Sequence, residues 1–237
     1  MAFVDVAGQS LSFLPGSKVL IVGDGTNPGD QVLYRDVFSG VDALVSVAYN
    51  QPGGLNPIAG INSFDAPTSG TEVPWFSTTL DPDQPNSGFA TFTFKFYKAG
   101  TFGTAGQEAT SLSNFYANVY DIDGRIDSSS GVPQFVDATG FTQYSLSDAS
   151  LLRVSAGPGD STRFESQQTV SSPSSSGGFE PEYRLQLYYE QPVSEISFNL
   201  GASPGSSGSF AARFDIDFSA GDVFANTVTG LPEGGSG

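Results

Sequence analysis

The chain has no cysteine and no histidine among its 237 residues. Without cysteine there is no disulfide framework, no thiol nucleophile and no thiolate metal site. Without histidine, a Ser-His-Asp triad cannot be assembled, and neither can a cysteine protease dyad. Basic residues are also scarce: 9 Lys and Arg stand against 25 Asp and Glu, a net charge of -16. Phosphate backbones are gripped by clustered cations. Here Lys18, Arg35, Lys95, Lys98, Arg125, Arg153, Arg163, Arg184 and Arg213 are scattered, which speaks against nucleic acid as a partner. No apolar run is long enough to span a bilayer as a helix. The first residues, Met1-Ala-Phe-Val-Asp-Val6, lack the basic region and long apolar stretch of a secretion signal. The expectation is either a domain of a longer exported protein or a route that needs no such signal, as for a virion protein assembled in the cytoplasm.

What the chain has is phenylalanine, 20 residues of it, enough bulk to fill a large core. Their spacing is that of strands. In Phe89-Ala-Thr-Phe-Thr-Phe-Lys-Phe-Tyr97, Phe92, Phe94 and Phe96 point one way, and Thr91, Thr93 and Lys95 the other. In Val41 to Ala48, valine and alanine alternate with Asp42, Leu44 and Ser46. Further short strands are predicted at 18–22, 31–38, 133–137, 141–146, 150–156, 162–169, 183–189, 193–200 and 210–218, divided by Gly, Asp and Ser turns. Gly23 to Asp30 reads as a hairpin loop; its glycines do not open a helix as a phosphate-binding loop would. There is no capped helical period and no repeat of 20 to 50 residues. The fold expected is all-β: a two-sheet antiparallel sandwich, jelly-roll-like, with long end loops. One domain is expected over 1–230, followed by a Gly/Ser tail at 231–237.

Two stretches organise this reading. In Leu112-Ser-Asn-Phe-Tyr-Ala-Asn-Val-Tyr-Asp-Ile-Asp-Gly-Arg125, Phe115, Ala117 and Val119 share one face. Tyr116, Asn118, Tyr120 and Ile122 take the other, and Asp121, Asp123 and Gly124 make a turn. In Phe214-Asp-Ile-Asp-Phe218 the apolar residues point in and Asp215 and Asp217 point out. Calcium prefers six to eight oxygen ligands. If these strands are neighbours, Asp121, Asp123, Asp127, Asp215 and Asp217 converge on a candidate Ca²⁺ site. The competing reading has Asp121 and Asp123 accept backbone N–H groups in the turn and pair with Arg125 or Arg213. No EF-hand or nonapeptide spacing decides between them.

Aromatic residues offer a second candidate. Sugars stack on Trp or Tyr while Asn, Asp and Gln bind the hydroxyls. Trp75, in a Pro-rich loop, and Tyr188 or Tyr189, on a late strand, are the ligand-binding candidates. Trp75 serves equally well as a plug at one end of the sandwich.

From Gln31 onward the order of features resembles the lectin-like ligand-binding domain of fibrillar adhesins of the CshA type. The matching pieces begin with Tyr34-Arg-Asp-Val-Phe38, Gly40-Val-Asp-Ala43, Phe64-Asp-Ala66, Pro74-Trp-Phe76 and the Phe-rich strand. Val119-Tyr-Asp-Ile-Asp-Gly124, Gln134-Phe-Val-Asp137, Gly140-Phe141, Tyr144-Ser-Leu146 and Arg163-Phe164 follow. The resemblance implies a sandwich displayed outside the cell that binds a glycan or a host or matrix protein, without catalysis. Two other functions are weighed beside it. One is a structural subunit of a virion or extracellular filament, able to self-assemble. The other is a jelly-roll glycosidase, which needs two facing carboxylates. The nearest approaches to such a pair, Asp121-Ile-Asp123 and Asp215-Ile-Asp217, lack the glutamates of that arrangement.

Overall fold

The computed structural model describes residues 3–23, 29–50, 76–80, 88–127, 130–167, 181–202, 212–221, 224 and 227–232. Within these the regular structure is strand, with two single 3₁₀ turns at Pro15–Ser17 and Pro181–Tyr183. In chain order the strands are β1 (Phe3–Asp5), β2 (Lys18–Val22), β3 (Gln31–Phe38), β4 (Val41–Asn50), β5 (Phe76–Leu80), β6 (Gly88–Lys98), β7 (Ser111–Ser113), β8 (Phe115–Tyr120) and β9 (Arg125–Asp127). Then come β10 (Ser130–Val132), β11 (Gln134–Ala138), β12 (Gln143–Ser147), β13 (Leu152–Ala156), β14 (Thr162–Ser166), β15 (Leu185–Tyr189), β16 (Glu195–Ala202), β17 (Ala212–Asp217) and β18 (Thr227–Gly230). No helix among the described residues is long and apolar enough to cross a membrane, a statement silent on β-barrels.

Two antiparallel sheets dominate. The larger has eight strands in the order β13-β14-β11-β16-β6-β4-β3-β2, and the smaller has six in the order β18-β12-β15-β8-β17-β5. Between β4 and β17 the chain passes back and forth between the sheets. Among the described residues, the β13-β14 hairpin and the small strands β7, β9 and β10 alone interrupt that traffic. The pairing is therefore mostly long-range: β16 lies beside β6 with Phe198 opposite Phe92, and β17 lies beside β8 with Ile216 opposite Val119.

The phenylalanine alternation explains why the sheets face each other. Phe92, Phe94 and Phe96 of β6, Phe198 of β16, and Phe115, Ala117 and Val119 of β8 are all buried in one cluster. Leu185, Leu187 and Tyr189 of β15 join it, as do Phe214 and Ile216 of β17 with Phe218 just beyond. Rings cross the gap between sheets edge-on: Phe96 meets Phe115 at 6.0 Å between centroids. At the other end Phe164 of β14 meets Tyr144 of β12 at 5.1 Å. Edge-to-face pairs of this kind add to the area they bury. The sandwich expected from the sequence is the one found.

Departures from alternation have visible backbone causes. Ile122, expected on the outer face with Tyr120, lies in the core cluster instead. Asp121 before it takes a left-handed φ of 66°, which ends β8 and reverses the direction of the next side chain. An aspartate tolerates that conformation better than most residues. The Asn114 φ of 55° separates β7 from β8 in the same way. In β3 the pairing with β4 shifts between Tyr34 and Phe38, where Asp36 has a φ of 50°.

Outward-facing acids are not all wet. Asp42 on β4 is buried. Its carboxylate accepts hydrogen bonds from the Arg35 guanidinium and from the backbone N–H groups of Asp36 and Gly100. Asp137 on β11 is likewise buried and takes both prongs of Arg163, at 2.7 Å and 2.8 Å. Each ties neighbouring strands or loops together through charge-assisted bonds. In the sequence Asp42 looks like an ordinary solvent-facing position of a half-buried strand.

Candidate functional site

The outer face of the six-stranded sheet carries Tyr188 and Asp217, two of the residues singled out in the sequence, and register puts Asp215 on the same face. Register sets them in rows. Tyr116 of β8 stands opposite Tyr188 of β15, and Asn118 opposite Gln186. On the other side of β8, Asp217 of β17 stands opposite Asn118, and Asp215 opposite Tyr120. The two acidic strands are thus neighbours, as the sequence reading required for their acids to meet.

What Asp217 meets is a set of neutral donors. Its Oδ1 accepts Asn118 Nδ2 at 2.6 Å, the Ser219 backbone N–H at 3.0 Å and the Ser219 hydroxyl at 2.8 Å. Its Oδ2 accepts the Tyr120 hydroxyl at 2.9 Å. Gln186 Nε2 donates to Asn118 Oδ1 and to the Gly221 carbonyl, and Asn118 Nδ2 also reaches the Ser219 carbonyl. Residues 219–221 therefore form a roof, held to the sheet by this network, over Asn118, Gln186 and Asp217, each at most 5% exposed. The Arg184 guanidinium lies 5.5 Å from the Tyr120 ring. Burial, and then the charge of Asp217, push the Tyr120 phenol well above its ordinary value. With both carboxylate oxygens engaged by donors of the sheet and of Ser219, Asp217 is a structural acceptor that fixes the roof.

The other acids are dispersed around this point. Asp121 and Asp123 are half-buried past the end of β8, each engaged with partners inside the domain. The backbones of Asp127 and Asp215 are placed in β9 and β17, but their side chains lie outside the described residues. Among the described residues no three His, Cys, Asp or Glu side chains come together to hold a metal ion.

The aromatic candidates separate sharply. Tyr189 is fully buried, stacked on Phe115 with centroids 4.9 Å apart and ring planes 7° from parallel. Its place as a surface ligand platform is corrected: strand alternation turns it inward with Leu185 and Leu187. Among the described residues its hydroxyl has no hydrogen-bond partner, and burial raises its pKa far above the usual phenol value. Tyr188, one residue away, is turned outward and half-buried. Its ring lies 4.9 Å from that of Tyr116 at a 31° tilt, and its hydroxyl donates to Asn114 Oδ1 at 2.8 Å. Trp75 lies outside the described residues.

Around the Tyr116–Tyr188 pair the polar groups are orderly. Asn114 Nδ2 donates to Asp5 Oδ1 at 2.9 Å, and the Ala7 N–H donates to the same oxygen at 2.8 Å. The Asn114 amide, followed by that backbone N–H, holds the Asp5 carboxyl below its ordinary value. Tyr188 is shifted up, first by partial burial and then by Tyr116, Glu190 and Asp5. Exposed Gln143 of β12 stands opposite Tyr188 on its far side. The result is two adjoining rings, fixed by a hydrogen bond and bordered by an amide and two carboxylates. Tyr116, Asn114, Asn118 and Gln186 were not singled out as site residues from the sequence. The signal that finds them is the strand period, which sets Tyr116 and Asn118 on one face of β8.

No protein-family model and no curated protein sequence matches the chain. Among solved structures it is similar to the adhesin domain of PrgB from Enterococcus faecalis, bound to DNA: 14% identity, TM-score 0.42, covering 88% of this chain and 71% of that one. It is also similar to glucan-binding protein C of Streptococcus mutans, described as mediating sucrose-independent and sucrose-dependent adherence: 9% identity, TM-score 0.46, covering 92% of this chain and 64% of that one. At these scores the likeness is too slight to carry over a ligand or a role.

Proposed function

We propose that this domain is a non-enzymatic recognition module, displayed outside the cell, that holds a glycan against the outer face of its six-stranded sheet. The observation that carries the reading is the Tyr116–Tyr188 pair, two outward, half-buried rings with one hydroxyl locked to Asn114. Such rings offer an apolar platform for the flat face of a sugar. Gln143, Asp5 and Glu190 at its border supply acceptors and donors for hydroxyls. The rigid strands beneath lower the entropy lost on binding. Phosphate-rich partners fit poorly, since Arg35, Lys95, Lys98, Arg153 and Arg163 are each paired with an acid.

Catalysis has little support. With neither His nor Cys, a carboxylate pair is one hydrolytic device that remains. Asp217 is engaged by Asn118, Ser219 and Tyr120, and the cleft lined by Ser12, Leu14, Gly16, Ser17, Arg35 and Asp36 carries a single carboxylate.

The test is a glycan and matrix-protein array run with Ca²⁺ and with chelator, for the wild type and for Tyr188→Ala and Tyr116→Ala. The expected result is a carbohydrate ligand in the micromolar to millimolar range whose binding falls at least tenfold in each variant. Binding only to proteins, or glycan binding that survives both substitutions, would remove the tyrosine platform from the account.

A further inference from the structure

The last strand of the eight-stranded sheet, β2, is unlike an ordinary edge. It is Lys18-Val-Leu-Ile-Val22, and Val19, Leu20, Ile21 and Val22 are 39%, 50%, 39% and 49% exposed. Among the described residues β2 is hydrogen-bonded to β3 on one side and to no strand on the other. Sheet edges are ordinarily guarded by charge, proline, brevity or a bulge, because a bare edge is a template for another strand. β2 has one bulge, between Leu20 and Val22, and leaves Lys18 to Leu20 in regular register. The opposite edge of the same sheet, β13, follows the rule: Arg153 projects from it and pairs with Glu165. Along β2 the only charge is Lys18, at one end, and it is engaged within the domain.

The same end of β2 opens into a cleft of about 610 Å³ lined by Ser12, Leu14, Gly16, Ser17, Arg35 and Asp36. Leu14 is 47% exposed there. Arg35 is committed to Asp42. Asp36 is exposed, holds a left-handed φ of 50°, and its carboxylate accepts no hydrogen bond among the described residues. An apolar edge thus ends beside one unneutralised carboxylate.

We infer that β2 takes up an extended peptide segment of another protein as a ninth strand. The segment is apolar at alternate positions and carries Lys or Arg at its C-terminal end. The pairing is antiparallel, like every other pairing in this sheet, so the C-terminal end of the added strand lies over the cleft. Main-chain hydrogen bonds to β2 supply affinity. Register sets Leu20 beside Val32 on one face and Val19 and Val22 beside Leu33 and Gln31 on the other, with Ile21 at the bulge between them. These side chains select the apolar residues. Asp36 selects the cation. A second copy of this chain is the poorer occupant. It would bring a charge of -16 against -16. Five half-exposed apolar side chains from each copy would cover on the order of several hundred Å², short of the roughly 1,200 Å² of a stable interface.

The experiment selects from a phage-displayed library of random twelve-residue peptides on the wild-type domain, with counter-selection on Leu20→Lys/Val22→Lys. Those substitutions guard the edge without entering the core, and a thermal melt within a few degrees of wild type verifies the fold. The expected winners alternate Val, Ile or Thr and end in Lys or Arg. As synthetic peptides they lose at least tenfold affinity for the edge variant and about three- to tenfold for Asp36→Asn, with the preference for a basic end abolished. Failure to enrich any peptide over the edge variant overturns the inference. So does a domain that sediments as a dimer with β2 amides protected from exchange. Neither outcome touches the tyrosine platform, which lies on the other sheet.

Discussion

Two pairs of residues on β8 and β15, one step apart along the same face, have opposite fates. Asn118 and Gln186 are bonded into a roofed network with Asp217 and lose their contact with water. Tyr116 and Tyr188 stay partly open to water. Strand, sheet and direction of projection are the same; the difference is the roof. Residues 219–221 reach as far as Asn118 and Gln186 and are pinned from the far side, where the Ala220 N–H donates to Ser10. The lesson is that alternation assigns a residue to a face, while a loop returning from elsewhere in the chain decides whether that face is architecture or surface. Polar residues beneath a roof are fixed acceptors and donors, and aromatic residues beyond it are available to a ligand.

The comparison is broken most forcefully by alkali. Tyr120 under the roof and Tyr34 and Tyr189 in the core all have phenols shifted up, with burial the first cause in each. A raised folded value means that the folded state resists deprotonation. Stability is therefore full below the unfolded tyrosine value near pH 10 and falls as pH climbs past it toward the folded values. Each such tyrosine costs about 1.4 kcal/mol per pH unit in that window. The expected result is cooperative unfolding above about pH 10, with these three phenolates emerging only as circular dichroism is lost. Tyr188, shifted less and open to water, should ionise before that transition. Simultaneous ionisation of all four would erase the distinction between roofed and open.

Asp217→Ala comes next. It removes the acceptor for Asn118, Tyr120 and Ser219 together and leaves buried donors without partners, a loss of about 3 kcal/mol by urea denaturation. Ca²⁺ or chelator should leave the wild-type midpoint unchanged if Asp217 is only an acceptor for these donors. Tyr188→Ala on the open side is expected to cost about 1 kcal/mol while removing glycan binding. If the alanine at 217 were tolerated and the alanine at 188 unfolded the domain, the assignment of the two halves would have to be exchanged.

Much of the fold was legible because the phenylalanine spacing is so regular. Phe92, Phe94 and Phe96 announce a strand and its inner face, and Phe214, Ile216 and Phe218 do the same for β17. Long-range pairing was less legible: no local pattern says that β16 lies beside β6. Nor does a strand pattern reveal burial on an outer face. Asp42 and Asp217 read as solvent-facing, yet Asp42 is bonded to Arg35 and Gly100 and Asp217 lies under residues 219–221. Within the candidate site, Tyr188 was legible by type. Its partner Tyr116 was visible in the pattern but went unused, since pairing of β8 with β15 is what sets the two rings together. Tyr189 shows the opposite error. Counting inward from Leu185 and Leu187 places it in the core, and only one of two adjacent tyrosines on a strand can face a ligand.

That pair of neighbours yields the smallest and sharpest test. Tyr188→Phe removes a hydroxyl that donates to Asn114 at 2.8 Å. Half-exposed Asn114 can turn to water instead, so the loss should be about 0.5–1 kcal/mol. Tyr189→Phe removes a hydroxyl buried without a partner among the described residues, while the stack on Phe115 is kept. A buried polar group with no hydrogen bond costs free energy rather than supplying it. This second change should therefore be neutral or stabilising by up to about 1 kcal/mol, read as an unchanged or raised urea midpoint at constant slope. The same atom is deleted from two adjacent residues, and the sign of the effect follows from the face each occupies. A destabilised Tyr189→Phe would mean that its hydroxyl is satisfied inside the sandwich, and that the core beside Phe115 is wetter than its packing implies.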